Sequence, residues 1–194
     1  MNNGKKLVLS ALLLALVQVG FLGWMIVGRA AVLRDGREVL LKVEPVDPRD
    51  LLRGDYVILN YDISRLPLSM IADIGEVRHD LVPTHSVTVR LRREEDGYWR
   101  AGGAWLKTPP NPAGADEVDI VGQVPSLNLA HVDGEVRVTY GIERFYVPEG
   151  EGRAIERDMR VRPFGVRAAV SSSGTAQVKA LMDGENMLFE EPLY

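Results

Sequence analysis

The chain has 194 residues, 23 basic and 27 acidic side chains, a formal charge of −4 and no cysteine. The missing cysteines exclude disulfides, thiolate metal ligands and cysteine nucleophiles, but an exported domain with a large core can do without disulfides, so the compartment stays open. Both tail lysines precede an apolar segment. The remainder therefore carries 21 basic against 27 acidic side chains and a formal charge of −6, and has no basic patch, which argues against a nucleic-acid partner.

Residues 7–27 are apolar apart from Ser10 and Gln18 and carry no charge. At 1.5 Å per residue they cover a hydrocarbon core about 30 Å thick, which predicts a membrane-spanning helix in contact with the lipid bilayer. A cleaved signal peptide has a shorter apolar region and a small-x-small site, so a retained anchor is the better reading. Lys5 and Lys6 on one side face Arg29, Arg34 and Arg37 on the other. The positive-inside count is thus indecisive, but a large following domain translocates regardless of charge, which places the tail in the cytoplasm and the domain in the periplasm. Trp24 suits the outer aromatic belt. The organisation expected is a tail at 1–6, an anchor at 7–27, a linker at 28–36 and one domain at 37–194. At about 160 residues that domain has room for a single sizeable core, with no internal repeat.

Turn signals punctuate the domain at Asp35-Gly36, Asp96-Gly97, Asp133-Gly134, Asp183-Gly184 and Ser173-Gly174. Such pairs between alternating segments are strong hairpin signals. Strands are expected at 37–44, 55–62, 86–92, 98–106, 117–124, 135–147, 165–171, 176–182 and 186–189. The predicted class is mainly β: one transmembrane helix, then a largely antiparallel barrel- or sandwich-like domain. Gly102-Gly103 predicts a bulge or close backbone approach, and 108–115 a Pro/Gly/Asn loop. Residues 67–74 read as a short helix or a covering loop. A helix is expected after Pro148, supported by Glu149 with Arg153 and Glu156 with Arg160, and closed by Arg162-Pro163.

Two stretches carry more information than the rest. In the first, Asp47 and Pro48 are an N-cap and first helical position, Asp50 is the acid at N3, and Gly54 suits a left-handed helix stop. The strand that follows alternates, so Asp55, Val57, Leu59 and Tyr61 share one face while Tyr56, Ile58 and Asn60 share the other. The bland reading makes Asp55 a turn cap, Leu59 core and both tyrosines amphipathic wall; the sharper one turns Tyr56 or Tyr61 toward a ligand. Residues Gly54-Asp55-Tyr56-Val57-Ile58-Leu59-Asn60-Tyr61 read G-D-Y-x-x-L-x-Y and so resemble the bacterial GDYXXLXY family. The second stretch, Tyr146-Val147-Pro148-Glu149-Gly150 and the short charged helix after it, resembles the same family. In it, Gly150 and Gly152 leave Glu149 open at a helix N-terminus, which stabilises a carboxylate.

The resemblance spans nearly the whole chain and implies a membrane-anchored protein with no established activity, encoded beside a polytopic membrane protein of unknown function. The run from Pro45 to Val57 is also similar to the nucleophile stretch of type I signal peptidases, but Pro45 or Val46 stands in place of the serine. The domain's lysines, Lys42, Lys107 and Lys179, occupy no matching context, and Ser69-Met70 follows the motif. His79, His85 and His131 lack metal-ligand spacing. The acids Asp47, Asp50, Asp55 and Asp62 read as caps, turn residues and a strand end, not a calcium loop. No cofactor and no enzyme activity are expected. Two functions are left: a non-catalytic accessory to a polytopic membrane protein, or a small-ligand or glycan-binding domain using Tyr56, Tyr61, Tyr146 and Glu149.

Overall fold

The computed structural model describes residues 3–44, 56–76, 85–106, 108–124, 134–159 and 161–192. The first element is a single helix, α1 (Asn3–Asp35), whose most apolar window has a mean hydropathy of 2.2 and is exposed throughout. It is long and apolar enough to cross a bilayer. The helix does not stop at the end of the apolar run. Residues 28–35, expected as linker, are its last two turns, because Ala30, Ala31, Val32 and Leu33 offer no breaker before Gly36 and Leu33 is buried against the domain. Arg34 in the last turn suits the helix dipole. The Gly36 N–H donates to the Val32 carbonyl at 2.9 Å, and a Cβ here would press on that oxygen and lie 3.1 Å from Ala169 Cβ. Asp35-Gly36 therefore ends a helix and is not the hairpin turn its sequence suggests.

The strands that follow in chain order are β1 (Arg37–Glu44), β2 (Tyr56–Ile58), β3 (Asn60–Tyr61), β4 (Arg65–Pro67), β5 (His85–Arg93) and β6 (Trp99–Trp105). After them come β7 (Glu117–Val124), β8 (Glu135–Arg137), β9 (Arg144–Tyr146), helix α2 (Gly152–Met159), β10 (Phe164–Val170), β11 (Ala176–Asp183) and β12 (Asn186–Glu190). All ladders between strands are antiparallel. A five-stranded sheet runs β12-β11-β10-β1-β3 and a three-stranded one β6-β5-β7, with two ribbons, β2-β9 and β4-β8. Their inner faces share one core: Val39, Leu41 and Val43 of β1 alternate inward, as do Val118, Ile120 and Val124 of β7, and they meet Phe164, Val166 and Leu181. The mainly β, antiparallel expectation holds.

Two long strands of the sequence reading are broken in the structure. The 55–62 strand splits at Leu59, whose N–H donates to the Glu143 carbonyl at 2.8 Å; β2 before it pairs with β9, while β3 after it pairs with β1. The 135–147 strand is likewise two pieces, β8 on β4 and β9 on β2, with a bridge from Thr139 to Gln123 and a left-handed Gly141 (φ 79°) between them. Both segments change partners to stitch sheets together, which an alternating pattern cannot reveal. The other glycine signals behave as expected. Gly97, Gly174 and Gly184 turn the β5-β6, β10-β11 and β11-β12 hairpins, and Gly102 is the extra residue where Arg90 faces Gly103 and Leu91 faces Ala101. Asp133 lies outside the described residues. Residues 67–74 form neither one helix nor a plain loop: β4 ends at Pro67, a 3-10 turn follows at Leu68–Met70, and Ile71 bridges to Ala104. The ion pairs expected of Glu149 with Arg153 and of Glu156 with Arg160 involve side chains outside the described residues. At this helix end Asp158 pairs instead with Arg162 at 2.5 Å and with Arg157 at 3.5 Å.

Candidate functional site

The two signature stretches meet. In the β2-β9 ladder Tyr56 stands directly opposite Tyr146, with ring centroids 6.0 Å apart at 62°, and the Arg144 guanidinium lies 5.5 Å from the Tyr56 ring. This outer face is open: Tyr146 is 69% and Ile58 42% exposed. The inner face is the opposite. Val57, Leu59 and Tyr61 are fully buried, so the alternation places the two tyrosines of the first stretch on different sides, as expected. Gly54 and Asp55 lie outside the described residues.

Tyr61 is a clamp. Its hydroxyl donates to the Ile142 carbonyl at 2.6 Å, its own N–H donates to Ser64 Oγ at 3.2 Å, and the Tyr140 hydroxyl makes the reciprocal reach to the Ile63 carbonyl at 2.7 Å. The Val138 N–H adds a bond to the Ser64 carbonyl at 2.9 Å. Loss of hydration, reinforced by the Glu143 carboxylate, pushes both phenols above their ordinary range, so both stay protonated donors. The segment after the motif is thereby locked to the segment between β8 and β9. Tyr61 cannot reach a ligand, and the four side chains Tyr56, Tyr61, Tyr146 and Glu149 do not share one cleft; that expectation is corrected by the burial of Tyr61.

In the second stretch Val147 is buried, while Pro148, Glu149 and Gly150 are exposed in a turn where Gly150 takes φ 89°. The Glu151 N–H returns to the Pro148 carbonyl at 3.1 Å. Because this turn delays the helix to Gly152, Glu149 precedes α2 and is not an acid of its first turn, contrary to the sequence reading.

Sequence reasoning missed a charged cleft of about 320 Å³ between the end of β1, residues 62–70 and β6, lined by Lys42, Glu44, Asp62, Arg65 and Arg100 over Ile63 and Leu66. Asp62 is its unusual member. Its Oδ1 is enclosed with no hydrogen-bond partner among the described residues, and its Oδ2 is 3.8 Å from Arg100 Nε, too far for a hydrogen bond. Arg100 is instead held by Asp96 at 2.6 Å. Burial raises the Asp62 carboxyl above its usual value, outweighing the Ile63 N–H and Arg100, which act the other way. No local signal marks this residue, since three separate segments build the cleft around it. Arg90 is the buried charge among the described residues. It donates to both Asp119 oxygens at 2.7 and 2.8 Å and to the Asn111 carbonyl at 2.6 Å, and stacks 5.3 Å from Trp105. It fastens the 108–115 loop to β7. Among the described residues no group of three or more His, Asp or Glu could hold a metal ion.

The family model described as GDYXXLXY protein matches residues 18–181, most of the chain, and the chain belongs to that family. No curated protein and no solved structure matches it.

Proposed function

With that membership as the premise, we propose that the chain is a single-pass protein of a bacterial cytoplasmic membrane that holds a non-catalytic β domain on the periplasmic side as an accessory to a polytopic membrane protein. The observation that carries this reading is the junction between helix and domain. α1 runs unbroken from its apolar stretch onto the domain, where Leu33 is buried, and Arg29 is clipped to Glu191 at 2.8 Å. A stiff junction fixes the height and orientation of the domain over the bilayer. That suits a domain presenting one surface to a neighbour in the same membrane, whereas a domain that captures soluble ligands has no need of it. The surface offered is the Tyr56–Tyr146 face, since Tyr and Arg are enriched at protein contacts.

Crosslinking in native membranes tests the partner. An adduct between a photoreactive group at Tyr146 and a polytopic protein is expected; no membrane-protein adduct, with a free monomer after mild detergent extraction, would refute it. Orientation is tested separately. An alkaline phosphatase fused after Tyr194 is expected to be active and a fluorescent fusion there dark, and the reverse pattern would place the domain in the cytoplasm. The second reading, a small-ligand domain, is favoured by one observation: the cleft with the unpartnered Asp62 oxygen, where a donor-bearing ligand would supply the missing hydrogen bond.

A further inference from the structure

The register of the large sheet fixes which end of the domain faces the bilayer. Gly36 packs against Ala169 and Val170, at the end of β10, where Val170 pairs with Ala176 at the start of β11. Seven residues back along α1, about 10 Å, Arg29 pairs with Glu191, whose N–H donates to the Lys179 carbonyl. Lys179 is three residues along β11 from Ala176, again about 10 Å. The helix therefore folds back along the sheet, and moving down it toward the apolar stretch means moving along β11 toward Asp183.

Four more residues of β11, about 13 Å, reach the β11-β12 hairpin. Even with helix and strand crossed at roughly 45°, the hairpin descends about 9 Å below the level of Lys179. The apolar stretch begins at Val27, about 3 Å below Arg29, and the headgroup layer is about 5 to 8 Å deep on each side. The hairpin thus reaches about 6 Å past the level of Val27, through the headgroup layer to the outer edge of the hydrocarbon. Its side chains suit that position: Met187 is 51% and Leu188 40% exposed on the edge strand, and Val161, in the turn before β10, is 79% exposed. The Val161 turn is held there by the Gly184 N–H on the Pro163 carbonyl at 3.3 Å and by the ion pair of Arg162 with Asp183.

We propose that Met187, Leu188 and Val161 form a second membrane contact, which dips into the lipid interface and covers the open edge of β12. The proposal rests on α1 being a membrane span. With Asp183 neutralised by Arg162 and Glu185 exposed at the tip, the surface it fits is a zwitterionic one. The natural absence of cysteine makes the test direct. Single variants Met187→Cys, Leu188→Cys and Val161→Cys of the full chain are spin-labelled in phosphatidylethanolamine-rich vesicles, beside Leu14→Cys in the span and Ser173→Cys at the far end of β11. Labels at 161, 187 and 188 should gain oxygen accessibility and lose accessibility to a water-soluble nickel chelate, relative to the label at 173; phosphatidylglycerol-rich vesicles should weaken the effect. If those labels match position 173 while position 14 reports lipid, the hairpin contact is refuted and the anchor stands. If position 14 also reports water, the anchor itself is wrong. Agreement among three labels guards against one variant that misfolds.

Discussion

Replacing Tyr61 by Phe tests whether the second tyrosine of the signature is scaffold. The ring is fully buried, so Phe keeps its packing and deletes only the hydroxyl, which donates at 2.6 Å to the Ile142 carbonyl. That carbonyl is then left enclosed without its donor, at a cost of about 1 to 3 kcal/mol. For a domain of this size each kcal/mol moves the midpoint by about 2 to 4 °C, so a loss of about 2 to 12 °C is expected. Tyr140→Phe removes the reciprocal bond to the Ile63 carbonyl and should cost a similar amount. The double variant should cost less than the two singles added, because both bonds join the same two segments. Tyr56→Phe is the internal control: its ring is on the outer face, so the midpoint should stay within about 1 °C, well under the 1 kcal/mol typical of a structural change. The assay is near-ultraviolet circular dichroism of the detergent-solubilised chain during heating. Equal midpoints for Tyr61→Phe and Tyr56→Phe would show that the buried hydroxyl holds nothing.

Gly122→Ala should cost about 1 to 3 kcal/mol by overpacking, since a Cβ there collides with Val138 Cγ1 and stands 2.9 Å from Tyr140 Cε1; an unchanged urea midpoint would contradict it. Arg90→Ala should cost about 3 kcal/mol because it strands Asp119 and the Asn111 carbonyl together, and faster proteolysis within 108–115 is the companion readout. Asp62→Asn should stabilise the domain by about 1 kcal/mol at neutral pH. Burial raises the folded-state value of this carboxyl, so its penalty is present when the group is ionised and fades as pH falls toward the ordinary 3.8. Urea midpoints for wild type and variant should therefore converge in acid, and a gap that widens there would refute the assignment.

Where one physical cause acts locally, the sequence was readable. β1 and β7 coincide with their alternating runs because each stays with regular neighbours through its length. The inward set Val57, Leu59 and Tyr61 follows from period two alone. Changes of partner were not readable. Alternation persists through Leu59 although the hydrogen bonds move from β9 to β1, and through Thr139 although they move from β4 to β7, because the side-chain period ignores which strand is alongside. Asp35-Gly36 misled for a related reason: the pair is chosen for a tight turn, and a helix running into a strand needs one as much as a hairpin does. The role of Tyr61 was half readable, since the face it shares with Leu59 followed from spacing, but its full burial did not and its acceptor lies 81 positions away. The Asp62 cleft had no local signature at all.

The split within the signature bears on what the family does. Leu59 and Tyr61 are accounted for by the core: one fills it and changes partners there, the other ties its two walls together. Tyr56 is not. Its ring lies on the outer face, opposite Tyr146 of the second stretch and beneath Arg144, and an aromatic pair of this kind contributes about 0.5 to 1.5 kcal/mol, which many other side chains could match on an exposed ribbon. The core does not account for Tyr56, which leaves its ring available to the function proposed above. Under the function proposed above, this face would meet a neighbour in the membrane, and the motif would join two requirements in adjacent residues: an inner face that builds the domain and an outer face turned to a partner.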